Sequence, residues 1–156
     1  MSNTLGPTNH WAADPSTPGV RPHRLRIGVK ALVIEDERVF LIKERRADGS
    51  VFWTLPGGGL RNGESPSDGL RREIAEEIEC GVGVGDPITT CRYPHGSDPT
   101  TVTHYLVFDC ELHGRPDPNR TEGVVDAARF DPSRLPVHTL SPFVDVVQAS
   151  HGDGSS

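Results

Sequence analysis

Glu73, Glu76 and Glu77 stand at i, i+3 and i+4 of one helix-forming segment, and that spacing constrains the chain more than anything else in it. On a helix the three carboxylates share one face and repel one another unless a positive charge joins them. A hard divalent cation is one solution, because Mg2+ takes oxygen ligands in octahedral geometry and bridges carboxylates to substrate phosphates. A solvated acidic face, with Arg72 and Glu76 as an ordinary i,i+4 ion pair, fits the same three residues.

The flanking sequence supplies the rest of the helix. Ser65 is an N-cap, Pro66 suits the first helical position, and Asp68 completes a capping box. Leu70, Ile74 and Ile78 recur every four residues as a buried stripe, and the helix is expected to end near Glu79, before Gly81 and Gly83. Upstream, Phe52–Leu55 is a short strand that delivers a glycine-rich loop beginning at Pro56.

Five residues separate Gly58 from Glu64 and seven separate Glu64 from Arg72, after which Glu73, Ile74, Glu76 and Glu77 follow in order. This run resembles the Nudix box, and Leu55-Pro56-Gly57-Gly58 resembles the usual approach to it. One departure stands out. Where the box carries glycine and then an aliphatic residue, this chain has Glu79 and Cys80, and the glycine comes two places later at Gly81. A slightly longer helix or a different exit turn would accommodate the shift.

The resemblance implies an α+β Nudix fold, a mixed β-sheet sandwiched between helices in three α/β/α layers. It implies Mg2+-dependent hydrolysis of a diphosphate bond in a nucleoside diphosphate linked to another moiety, with Mn2+ as a substitute metal. By matching positions, Glu73, Glu76, Glu77 and the backbone carbonyl of Gly57 would bind the metal. Glu64 and Arg72 would form the salt bridge that anchors loop to helix, and Glu76 or Glu77 would accept the proton of the attacking water. The alternative is a nucleotide-sensing module that keeps the fold without turnover.

Outside the box the candidates are weaker. Glu122 and Asp126 are acidic residues placed to act as an outer metal ligand or base, or to be solvated carboxylates in a turn. Arg45 and Arg46 end a strand just ahead of the glycine-rich loop, from which a guanidinium can clamp phosphate. Tyr93, His95, His104 and Tyr105 are candidates for contact with a base or sugar, against the commoner packing role of such residues in strands.

For the rest of the chain, residues 1–23 are rich in Pro, Gly, Ser, Thr and Asn and are expected to form a flexible tail, with Trp11 available to dock. Residues 24–150 are expected to be the folded domain and 151–156 a disordered end. Leu25–Ile34 and Val39–Glu44 are expected to pair as a hairpin around Glu35-Asp36-Glu37. Val82–Tyr93, Thr101–Leu112 and Val124–Phe130 are further strands, and Leu140–Ala149 is a closing helix.

A formal net charge of -6 disfavours DNA and anionic membranes as partners and leaves a small phosphorylated substrate, with a homodimer as a further candidate assembly. No run approaches the roughly 18 apolar residues of a membrane helix, so a cytoplasmic location is expected. Cys80, Cys91 and Cys110 lack metal or disulfide spacing and are expected to be core thiols.

Overall fold

The computed structural model describes residues 24–95 and 98–154. The elements are β1 (Arg24–Leu32), β2 (Ile34–Glu35), β3 (Arg38–Arg45), β4 (Val51–Thr54), β5 (Gly57–Gly59), α1 (Pro66–Ile78), β6 (Gly81–His95), β7 (Asp98–His113), β8 (Val124–Phe130) and α2 (Ser141–Gly154). A 3-10 turn at Arg120–Glu122 precedes β8. The expected tail, Trp11 included, lies outside the described residues, as do the side chains of residues 95–99. No described helix is long and apolar enough to cross a membrane.

Two sheets of four strands form the centre. The first runs β5-β1-β7-β6 and is mixed, because β1 and β7 are parallel while β1–β5 and β6–β7 are antiparallel. In the second, β3 pairs antiparallel with β2, β4 and β8. Alternation along β1 and β3 then builds two cores. Val29, Ala31, Phe40 and Ile42 face Leu70, Ile74 and Ile78 of α1, whereas Leu32, Val39 and Leu41 face Phe143, Val146 and Val147 of α2. This is the expected helix–sheet–helix layering, and the Leu70–Ile74–Ile78 stripe is fully buried as its spacing requires.

Three local expectations need correction. Leu25–Ile34 is not one strand paired along its length with Val39–Glu44, because the chain breaks at Val33 and β1 and β3 belong to different sheets; only its Ile34 end pairs, with Val39. The hairpin is the short β2–β3 pair, turned tightly by Asp36 and Glu37 with φ of 52° and 63°, the left-handed conformation that two-residue hairpin loops demand. The glycine-rich segment is not a loop, since Gly57–Gly59 form β5 on the edge of β1. The closing helix also runs on to Gly154, into the segment expected to lie beyond the domain.

The helix α1 starts as its sequence requires, with the Ser65 hydroxyl accepting from the Asp68 N–H at 3.2 Å. Its end explains the displaced glycine. Glu79 occupies the left-handed C-cap at φ 50° and ψ 46°, so the exit turn is the one a glycine would make, without an extra turn of helix. Segment 117–119 covers the last carbonyls: Asp117 N–H donates to Ile78 O at 2.8 Å, Asn119 N–H to Glu77 O at 2.9 Å, and Asn119 Nδ2 to Glu76 O at 2.9 Å.

A side chain in the left-handed region is strained, and the Glu79 side chain is exposed, so burial does not offset that strain. Glu79→Gly is therefore predicted to stabilise the fold by roughly 0.5–1 kcal/mol, net of the greater freedom glycine has when unfolded. Urea melts of the two chains check this, and an unchanged or lower midpoint would contradict the strain argument.

Candidate active site

The Gly57–Gly59 strand reaches α1 only because it lacks side chains. Gly57 has φ of 136°, and a Cβ there would run into the backbone of Val29. A Cβ on Gly58 would stand 2.5 Å from Oε1 of Glu73. Bare backbone thus leaves the Glu73 carboxylate its place against the strand.

Arg72 organises the next shell of contacts. Its Nε and Nη2 clamp Glu64 at 2.7 and 3.0 Å, its Nη1 donates to Glu73 at 2.9 Å and to Glu76 at 3.1 Å, and Nη2 also donates to Gly59 O at 3.0 Å. The Arg72–Glu64 bridge is the one the resemblance implies. Bonding to Arg72, and then to the Arg61 N–H, pushes Glu64 down to about 2. Hydrogen bonding to Glu64 likewise raises the Arg72 guanidinium.

Glu73 and Glu77 line one cavity of about 610 Å³, together with Gly57, Gly58, Gly59, Glu44 and Lys30. Glu77 is 7% exposed, and its Oε1 accepts from Gly57 N–H at 2.8 Å. Burial raises its carboxyl well above the usual range; Lys30 and the Gly57 N–H oppose the rise, and Glu44 and Glu73 add to it. Burial raises Glu44 in the same way, with Lys30 and Arg46 opposing it and Glu73 adding to it. Lys30 is 4% exposed, and its Nζ donates to Leu55 O at 3.0 Å and Gly57 O at 3.3 Å. Burial works against its charge, but Tyr105 and the carboxylates of Glu44, Glu77 and Glu73 outweigh burial and raise its pKa.

The expected residues divide accordingly. Arg45, Arg46, Tyr93 and Tyr105 line the cavity, and the Arg46 guanidinium lies 4.2 Å from the centre of the Phe52 ring. Glu76 is outside the lining, turned to Arg72 and, at 3.4 Å, to Arg61. Glu122 and Asp126 are exposed on the 3-10 turn and β8 and are not brought to the cavity. His104 is not brought there either; it pairs with Arg92 across β6 and β7, and burial followed by the Arg92 charge holds its imidazole below its ordinary pKa.

Sequence reasoning missed Lys30, Glu44, Phe143 and the helix-capping Asn119. Lys30 had a signal: it is a single charge inside the apolar run Ile27–Val33. A larger hollow of about 910 Å³ lies between β6 and α2, with Asp109, Asp145 and Arg92 among its lining. The smaller cavity is the candidate site, because it gathers carboxylates from β3 and α1 around an ammonium from β1.

Among the described residues, no three metal-binding side chains already meet as a closed cluster. Arg72 takes Glu73 and Glu76 as partners on one nitrogen. The donors nevertheless fit a hard cation, because a buried carboxyl crowded by two further carboxyls is relieved by positive charge, and the Gly58 backbone keeps room for Glu73.

Residues 24–147 match the NUDIX domain family. The nucleoside triphosphatase NudI of Enterobacter sp. strain 638 is 32% identical over 89 residues, which make up 50% of this chain and 63% of that protein. Its counterpart from Escherichia coli O139:H28 is 33% identical over a stretch of the same length. The chain thus spans less than two thirds of the length of these relatives. Among solved structures, a MutT NUDIX hydrolase from Burkholderia pseudomallei aligns with a TM-score of 0.72 at 21% identity, over 81% of this chain and 98% of that one. A UDP-X diphosphatase aligns with a TM-score of 0.65 at 23% identity, over 91% of this chain and 68% of that one. At those identities the likeness is one of fold.

Proposed function

The chain belongs to the Nudix family, and from that premise we propose that it hydrolyses a diphosphate bond in a nucleotide-derived substrate with the help of Mg2+. The observation that carries this reading is the gathering of Glu73, Glu77, Glu44 and the Gly57 backbone on one cavity beside the Arg72–Glu64 clamp. Glu73, Glu77 and the Gly57 carbonyl would hold the metal, with Glu76 beside Glu73 on the shared Arg72 nitrogen. When bound, Mg2+ neutralises the phosphate oxygens and makes a coordinated water a better nucleophile.

The remaining work falls to the protein's own groups. Arg45 and Arg46 at the cavity rim offer guanidinium donors to the substrate's phosphates. Phe52, stacked under Arg46, and Tyr93 and Tyr105 offer ring faces to the nucleoside part. The proton lost by the attacking water goes to a carboxylate lining the cavity, Glu77 or Glu44. Relatives named nucleoside triphosphatase make triphosphates the first substrates to try.

The test is a panel of nucleoside triphosphates, ADP-ribose, nucleotide sugars and dinucleoside polyphosphates, with and without Mg2+ or Mn2+. Released phosphate is read after inorganic pyrophosphatase for the triphosphates and after alkaline phosphatase for the capped compounds. Turnover that requires the metal supports the proposal. Tight nucleotide binding with no turnover across the panel would sink it in favour of a sensor.

A further inference from the structure

Lys30 has no part in the chemistry proposed for the cavity, yet it is the most constrained charge there. Its stem leaves β1 on the α2 side, and its ammonium lies 5.1 Å from the centre of the Tyr105 ring and 5.3 Å from that of Phe143. Two backbone carbonyls, Leu55 O and Gly57 O, accept from it. Burying an ammonium costs more than burying an apolar side chain of the same length, so packing alone does not explain a lysine here. Gly57 O is the telling partner, because the same oxygen would serve the metal. A carbonyl has two lone pairs and can face two cations, but each weakens the other's hold.

We propose that Lys30 is a positioning residue and a resident cation of the cavity: it aims the Gly57 carbonyl while holding down the affinity of the carboxylates for a free divalent metal. The inference rests on the metal-dependent hydrolase reading and deepens it. Glu44, Glu73 and Glu77 carry at most three negative charges; Arg72 already offsets that of Glu73, and Lys30, inside the cavity, offsets another. The site therefore binds bare metal weakly and takes it together with the substrate's phosphates, which bring the missing negative charge. Lys30 thus favours a metal–nucleotide complex over stepwise loading.

The experiment measures Mn2+ binding without nucleotide, by the electron paramagnetic resonance signal of free Mn2+, on the unmodified chain and on Lys30→Met, Lys30→Gln and Lys30→Arg. Near-UV circular dichroism establishes which variants are folded. Lys30→Met is expected to bind Mn2+ at least about tenfold more tightly, about 1.4 kcal/mol, because it removes a like charge from the site. Lys30→Gln keeps a donor for the two carbonyls without the charge and is expected to tighten binding in the same way; it carries the test if Lys30→Met does not fold. Lys30→Arg is expected to retain the unmodified affinity. In turnover assays the two neutral variants should need less metal while losing kcat.

A merely structural lysine would lower stability and leave Mn2+ affinity unchanged in the folded variants. Unchanged or weaker binding by the folded neutral variants overturns the inference. Absence of Mn2+ binding in the unmodified chain and in every variant, with nucleotide present or not, overturns the metal reading and this inference with it.

Discussion

A Glu77→Gln chain is expected to lose roughly 10³-fold in kcat on whichever substrate the panel identifies, the size of effect expected when a carboxylate that holds the metal or takes the reacting proton is removed. It is expected to keep its fold. Glu77 is 7% exposed and accepts one hydrogen bond, from Gly57 N–H at 2.8 Å. A glutamine oxygen can accept the same bond in the same volume, and the exchange removes a carboxyl whose ionisation burial already opposes. Stability should therefore hold or rise while turnover collapses. Measuring kcat and the thermal midpoint on one preparation separates the two effects. A variant within tenfold of the unmodified chain would remove Glu77 from the chemistry, and a large fall in midpoint would make its role structural.

The parts of this site that can be read from sequence are those built by local geometry. Three carboxylates at i, i+3 and i+4 must share a helix face, Ser65 must cap if Pro66 begins the helix, and Leu70, Ile74 and Ile78 must point into a core. None of these needs knowledge of the rest of the chain. Lys30 and Glu44 reach the cavity by sheet pairing that no local pattern encodes: β1 meets Gly57–Gly59 across Lys30, and β3 brings Glu44 from the other sheet.

The same non-local pairing makes the glycine-rich segment a strand and sends β1 and β3 into separate sheets. Glu122 and Asp126, which the sequence leaves open between metal ligand and solvated carboxylate, stay exposed and outside the cavity lining, while the neighbouring segment serves α1 through Asn119, which caps it. The left-handed turn at Glu79 is hidden for a different reason, since a glutamate there gives no sign of the conformation it is forced to adopt.

Arg72→Met is expected to cost roughly 1–3 kcal/mol of stability, the loss incurred when half-buried hydrogen-bonding groups are left without their partner. Water reaches part of the pair, so the loss stays below that of breaking a fully buried one. Its loss leaves Glu64 and Glu73, at 14% and 16% exposure, without the guanidinium that balances them. Arg72→Lys should recover only a small part, because a single ammonium cannot fork to Glu64 while also reaching Glu73, Glu76 and the Gly59 carbonyl.

A pH series adds a second constraint on Arg72. Glu64 is held at about 2 against an ordinary 4.5, so its folded form keeps its charge more readily than the unfolded chain does. The stabilisation this gives is fully present above the ordinary value and is lost as pH falls from 4.5 toward 2. Without Arg72 the main cause of the shift is gone, so the stability difference between Arg72→Met and the unmodified chain should shrink across that acid window. Urea melts from neutral pH to about pH 3 measure it. A difference that stayed constant with pH would mean that Arg72 stabilises the fold by packing its stem and not by holding carboxylates. The glutamates that face the cavity would then owe their placement to the Gly57–Gly59 backbone alone.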